Sequence, residues 1–131
     1  MATRTQARES VISLLYAYDL GNDKISKFSD EILEDKKIRN KQKAFADSLY
    51  HGVMEHLEAV DKEIESHLRK NNMEDLGSVE KAILRLATYE IMFSELDKPV
   101  VINEAVEIAK RLASDNGPKL INAVLDNIEK V

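Results

Sequence analysis

The residues of this 131-residue chain whose types could do chemistry are three histidines, a large set of carboxylates and a few cations in unusual places. His51 and His56 are five apart, so they do not share a helical face as metal ligands four apart would, and His67 stands alone. All three read as solvated or helix-packing side chains. The carboxylates fall at surface helical spacings, where pairs such as Glu58 with Lys62 solvate a face, and no catalytic pair is indicated. No glycine-rich phosphate loop, dinucleotide fingerprint, nucleophile elbow or zinc-spaced cluster is present. With no cysteine in the chain, thiolate catalysis, disulfides and sulfur-ligated metals have no foothold. The expectation is a protein that binds rather than catalyses, with no cofactor and no metal.

Two groups of cations break the usual electrostatics of helices. A helix N-terminus carries partial positive charge and prefers acids, yet Arg4 and Arg8 flank the start of the first helix and Lys119 follows Pro118 at the start of the last. With unpaired backbone N–H groups beside them, these cations would make two anion-binding ends able to hold phosphates if the fold brought them together. Tyr16 lies two turns after Arg8, off the apolar stripe, where it reads either as a boundary residue or as a ring that stacks on an unpaired base. Asn116 and Gly117 are first a turn, with backbone and amide groups able to meet bases or phosphates. The acids Glu55, Glu58, Asp61, Glu63 and Glu65, and the cluster Glu74, Asp75 and Glu80, read either as solvated faces or as a surface for a basic protein partner. Arg85, Tyr89 and Glu90 fall on a strongly apolar helix and read either as a functional site or, in preference, as a buried polar network in which arginine and carboxylate satisfy each other.

The elements that must position these residues are helical. Ala7, Val11, Leu14, Leu15 and Tyr18 recur at helical spacing behind a capping box of Thr3 with Gln6, and Gly21, Asn22 and Asp23 stop that helix. A weaker segment surrounds Phe28, Ile32 and Leu33, with Ser29 and Asp30 as caps and Lys36 and Lys37 at its exit. Phe45, Leu49, Val53, Leu57, Val60, Ile64 and Leu68 form one continuous stripe on a long helix, which Gly52 interrupts in propensity but not in pattern. Gly77 and Ser78 open a helix carrying Val79, Ala82, Ile83, Leu86, Ala87 and Phe93, and Pro99 bounds the connection after it. Ala105, Ile108, Ala109 and Leu112 mark the next helix. Pro118 suits the first turn of the last, which buries Leu120, Ile121, Val124, Leu125 and Ile128. No segment alternates as a strand does, so the fold class is all-α, a bundle of about six or seven helices.

The length suits one compact domain over 1–131, and a hydrophobic share of 44% supports a packed core. A polar N-terminus and the lack of any apolar run long enough for a bilayer make the expected location cytoplasmic, with no membrane partner. The net charge of -5 argues against indiscriminate nucleic-acid binding, so any such site must be local.

The stretch Pro99-Val-Val-Ile-Asn-Glu-Ala-Val-Glu-Ile-Ala-Lys110, followed by Lys119-Leu-Ile-Asn-Ala-Val-Leu-Asp126, resembles the bacterial NusB family of transcription antitermination factors. So do Ala7-Arg-Glu9 with Leu15-Tyr16, and Val79-Glu-Lys-Ala-Ile-Leu-Arg85 with Tyr89-Glu90, and the blocks stand in the family's order over nearly the whole chain. The resemblance implies two small helical subdomains sharing one core. It also implies a factor that binds boxA RNA with the ribosomal protein NusE and helps assemble an antitermination complex on RNA polymerase, notably in ribosomal RNA operons. The family's basic motif falls on Arg4, Thr5, Gln6 and Arg8 and its aromatic contact on Tyr16. Its second RNA segment falls on Asn116, Gly117, Lys119 and Leu120, with Asn122 nearby, and its protein-partner surface on Glu74, Asp75 and Glu80.

Two departures bear on strength. Many members carry a denser arginine run where this chain has Thr5 and Gln6, and an aromatic ring where it has Leu120. Each lost cation reduces counterion release and a lost ring removes a stacking platform, so the isolated protein is expected to bind RNA weakly and to depend on its partner. A protein-only helical adaptor, and the NusB-like region of a ribosomal RNA cytosine methyltransferase, are the rival readings. Monomer and homodimer are both open.

Overall fold

The computed structural model describes residues 3–21, 25, 31–33, 38, 40–69 and 72–131. Among these residues the elements with described bounds are α1 (Arg4–Asp19), α2 (Asn40–Glu55), α3 (Leu57–Ser66), the 3-10 turn Met73–Asp75, α4 (Ser78–Phe93), α5 (Lys98–Leu112) and α6 (Gly117–Leu125). The all-α expectation holds. Of the weaker segment near Phe28, residues 31–33 are helical and Leu33 is buried, while the expected caps Ser29 and Asp30 and the exit at Lys36 and Lys37 lie outside the described residues.

Local chemistry sets the helix ends. The Gln6 N–H donates to Thr3 Oγ1 at 3.1 Å and the Thr3 N–H to Gln6 Oε1 at 2.8 Å, which is the expected capping box. At the other end of α1, Gly21 takes φ 97°, a left-handed conformation that side chains resist. Pro118 stands in the first turn of α6, as expected. Pro99 also lies in a first turn, that of α5, so it starts a helix and does not merely bound a connection.

The core is arranged around α4, whose residues Ala82 to Thr88 are all buried. α1, α2, α3, α5 and α6 all pack against it, α1 also lies along α2, and α5 also lies along α6. One apolar cluster joins Val11, Leu14 and Leu15 of α1, Leu49, Tyr50 and Val53 of α2, Ile83 and Leu84 of α4, and Ile108, Ile121 and Leu125 of α5 and α6.

The long apolar stripe from Phe45 to Leu68 is not one straight helix. It bends at His56, whose φ −107° and ψ 19° separate α2 from α3, although the Val60 N–H still reaches the His56 carbonyl at 2.9 Å. The bend lets a single stripe wrap α4. His56 stacks on Phe93 with ring centroids 4.2 Å apart, and the hydroxyl end of the Tyr89 ring lies against Gly52, where an added Cβ would fall on its Cζ and Oη. Gly52 is therefore a close-approach residue.

Candidate nucleic-acid interface

The first turns of α1 place their cations at two depths. Arg8 is buried, 8% exposed, because Glu90 of α4 lies directly beneath it. Its Nε donates to both Glu90 carboxylate oxygens at 3.1 and 3.2 Å and its Nη2 to Oε1 at 2.9 Å, a forked pair of the kind a guanidinium favours. Burial pushes the Glu90 carboxyl above its ordinary range, although the Arg8 hydrogen bonds and charge pull it down. Glu104 of α5 completes the cluster: its Oε1 accepts from the Thr5 hydroxyl at 2.7 Å and lies 3.7 Å from Arg8 Nη1. Thr5 and Arg8 are thus engaged from within, while Arg4 is exposed with its guanidinium carbon 4.1 Å from the Phe45 ring centroid. Arg8 differs here from the surface cation the sequence suggested, and the reason is a carboxylate 82 positions away in the chain.

Tyr16 is 39% exposed on the same helix, with its ring available to solvent. At the start of α6, Asn116 and Lys119 are exposed, Gly117 is buried and Leu120 half-buried. The Asn116 side chain makes no cap hydrogen bond, in contrast to the α1 end, where Thr3 and Gln6 occupy two N–H groups. Gly117 is required by packing, since a Cβ there would lie 2.7 Å from Ala113 Cβ. Asn122 is exposed and borders a shallow depression between α5 and α6 with Pro99, Asn103 and Asp126.

Among the described residues, no hydrogen bond or ion pair joins Arg4, Thr5, Arg8 or Tyr16 to the Asn116–Asn122 segment. The link between the two runs through α5, which meets α1 by the Thr5 and Arg8 contacts to Glu104 and by an ion pair of Arg111 with Glu9. Arg111 lies at the end of α5, just before the turn that leads into α6.

Of the acidic residues expected to face a protein partner, Glu80 lies beside the second segment. Glu74 and Asp75 are exposed on the 3-10 turn, where the Asn72 side chain accepts the Glu74 N–H at 2.9 Å. Glu80, in the first turn of α4, accepts the Ser114 N–H at 3.4 Å, and its Cγ would lie 3.5 Å from a Cβ on Gly117. Glu80 therefore reaches the turn before α6.

Arg85 and Glu90 are both buried but do not satisfy each other, contrary to the single network expected. Glu90 pairs with Arg8, whereas Arg85 forks onto Asp61 at 2.8 and 2.9 Å and reaches Asp19 at 3.5 Å. Burial disfavours the charged Arg85, and the hydrogen bonds and charge of Asp61 outweigh it, so the guanidinium is held above its ordinary value. The histidines do not converge: His56 stacks on Phe93, His67 meets Glu63 at 3.0 Å, and His51 touches the edge of Tyr50. Among the described residues, no group of three metal-ligating side chains occurs and no helix is long and apolar enough to cross a membrane. Sequence reasoning missed Phe45 and Glu104 at this site and gave Glu90 the wrong partner; their partners are distant in the chain, and Phe45 signalled only an apolar stripe.

The family model described as the NusB family matches residues 5–130. A protein of Aliarcobacter butzleri named transcription antitermination protein NusB is 63% identical over 130 residues, covering 99% of this chain and 99% of its own. A protein of the same name from a Nitratiruptor species is 58% identical over 99% of this chain and 94% of its own. The fold resembles that of T. maritima NusB, with a TM-score of 0.87 and 34% identity over 95% of this chain and 89% of that one. It also resembles a chain of the crystal structure of antitermination factors NusB and NusE in complex with dsRNA, with a TM-score of 0.83 and 32% identity over 94% of this chain and 92% of that one. Matched by the family model over all but its ends, and by relatives along nearly its whole length, the chain belongs to the NusB family.

Proposed function

We propose that this protein is a transcription antitermination factor that binds boxA RNA together with NusE and helps assemble the antitermination complex on RNA polymerase, notably in ribosomal RNA operons. It acts by binding in the cytoplasm, without catalysis, and residues 1–131 serve as one RNA-binding domain. The observation that carries this reading is the likeness of the whole chain to a NusB solved together with NusE and dsRNA.

Arg4, Tyr16, Asn116, Lys119 and Asn122 are the exposed side chains assigned to RNA. Arg4 and Lys119 supply charge to phosphates, Tyr16 a stacking face, and Asn116 and Asn122 hydrogen-bonding amides. Thr5, Arg8, Gly117 and Leu120 shape that surface from partly or wholly buried positions. Glu74, Asp75 and Glu80 are assigned to NusE. The contact of Glu80 with Ser114, in the turn before α6, supports joint binding of protein and RNA.

The test is binding of boxA RNA with and without purified NusE, at two salt concentrations and against a scrambled RNA. Weak binding alone, strengthened by NusE, selective for boxA and reduced by salt, is expected. If NusE binds while boxA never exceeds the scrambled control, the protein is an adaptor and the RNA assignment fails.

A further inference from the structure

Phe45 begins the apolar stripe of α2, yet its half-buried ring carries two cations: the guanidinium carbon of Arg4 lies 4.1 Å from the ring centroid and that of Arg8 5.1 Å. The cations are held in different ways. Arg8 is fixed by its fork onto buried Glu90, so its side chain gives the ring an immobile neighbour. Arg4 is exposed; its charge acts on buried Glu90, but among the described residues no hydrogen bond or close ion pair ties it to a carboxylate. A guanidinium stacked on a ring uses its face and leaves its N–H edge open, and that edge is what pairs with two phosphate oxygens at once.

We propose that Phe45 is a positioning residue for RNA binding, a platform that holds Arg4 with its donor edge toward a phosphate and is itself steadied by the Arg8–Glu90 pair. The proposal rests on the assignment of Arg4 to RNA made above. The surroundings favour an anion. The first turn of α2 has no acid, and exposed Lys41 stands one helical turn before Phe45, at the spacing that puts two side chains on one face. The cationic surface thus spans the starts of two helices, α1 and α2, with the ring between them. Held in this way, Arg4 has less side-chain freedom to lose when it meets RNA, which partly offsets the sparse arginine run at Thr5 and Gln6.

The experiment measures binding of a boxA RNA oligonucleotide in the presence of NusE by the full chain and by Phe45→Leu, Phe45→Tyr, Arg4→Ala and the double variant Phe45→Leu/Arg4→Ala. Loss of an exposed cation–π contact should weaken Phe45→Leu binding about two- to fivefold. Tyrosine should restore it, and the double variant should match Arg4→Ala alone. Arg4→Ala should also lower the salt slope by about 0.7, as expected for one contact to a single strand. If Phe45→Leu weakens binding equally with and without Arg4, or if tyrosine does not restore it, the ring does not act through Arg4 and the proposal falls. If Arg4→Ala weakens binding and Phe45→Leu does not, the proposal falls while the RNA site stands; if Arg4→Ala has no effect, both fall. Should Phe45→Leu fail to fold, Arg4→Lys decides: lysine keeps the charge without the planar fork, so unchanged affinity overturns the proposal and a fall of the same size supports it.

Discussion

At Arg8, charge and burial conflict, and the conflict fixes what substitutions there can reveal. The side chain is 10% exposed and that of Glu90 3%, so removing Arg8 leaves the Glu90 carboxylate buried without its partner. Arg8→Ala is therefore expected to cost about 3–5 kcal/mol of stability. Replacing both, as Arg8→Met with Glu90→Met, removes two buried charges together and should be far milder, near neutral by the same reasoning. Urea denaturation of the three proteins checks this: a double variant as unstable as Arg8→Ala would show that the pair is not the reason for the loss. The same comparison separates support from contact, because weakened RNA binding in Arg8→Ala alone would reflect a damaged surface. None of this was legible in the sequence, where Arg8 looks like one more cation near a helix start. The carboxylate that turns it inward comes from α4, and spacing along one helix says nothing about a partner on another.

Helix by helix, the positions that local chemistry controls were readable and those set by packing were not. The Thr3–Gln6 capping box, the stop at Gly21, the start at Pro118 and the apolar faces of α1, α4, α5 and α6 all follow from residues within a few positions of one another. The bend at His56 does not, because the stripe continues through it and only the presence of α4 makes it turn. The start of α6 offers a test at this scale. Exposed Lys119 opposes the helix dipole, and no acid stands in the first turn. Lys119→Glu should therefore stabilise the protein by about 0.3–1 kcal/mol, as acids near helix N-termini do. If the cation serves RNA, the same change should lower boxA affinity and its salt dependence. Thermal unfolding and RNA titration of one variant give both readings. A variant that is less stable and binds RNA unchanged would contradict the placement of Lys119 on both counts.

Across the whole molecule, the first helix is tied to the core by a second ionic cluster, opposite in character to the Arg8 site. Asp19, at the end of α1, accepts from the Ser78 hydroxyl at 2.9 Å and Lys81 Nζ at 3.0 Å, and Arg85 bridges it to Asp61 of α3. α1, α3 and α4 thus share one set of charges. Burial works against the charged Asp19 carboxylate, but the Lys81 and Ser78 hydrogen bonds, with the charges of Lys81 and Arg85, outweigh it and hold the group below its ordinary value. A carboxyl that ionises more readily when folded contributes stability above its unfolded pKa and loses it as pH falls through the folded one. Glu90 runs the other way: raised by burial above 4.5, it contributes most at low pH and loses that contribution as pH rises through its folded value. The two sites therefore oppose each other on acidification, and a variant at one is needed to isolate it. Asp19→Asn should be less stable than the parent at about pH 7, with the gap closing toward about pH 2 as the parent's carboxylate takes up its proton. Denaturant unfolding of both proteins at the two pH values measures the gap. A gap that stays constant would mean that the amide costs packing or hydrogen bonds alone, and that the charge of Asp19 does not help to hold α1 on the bundle.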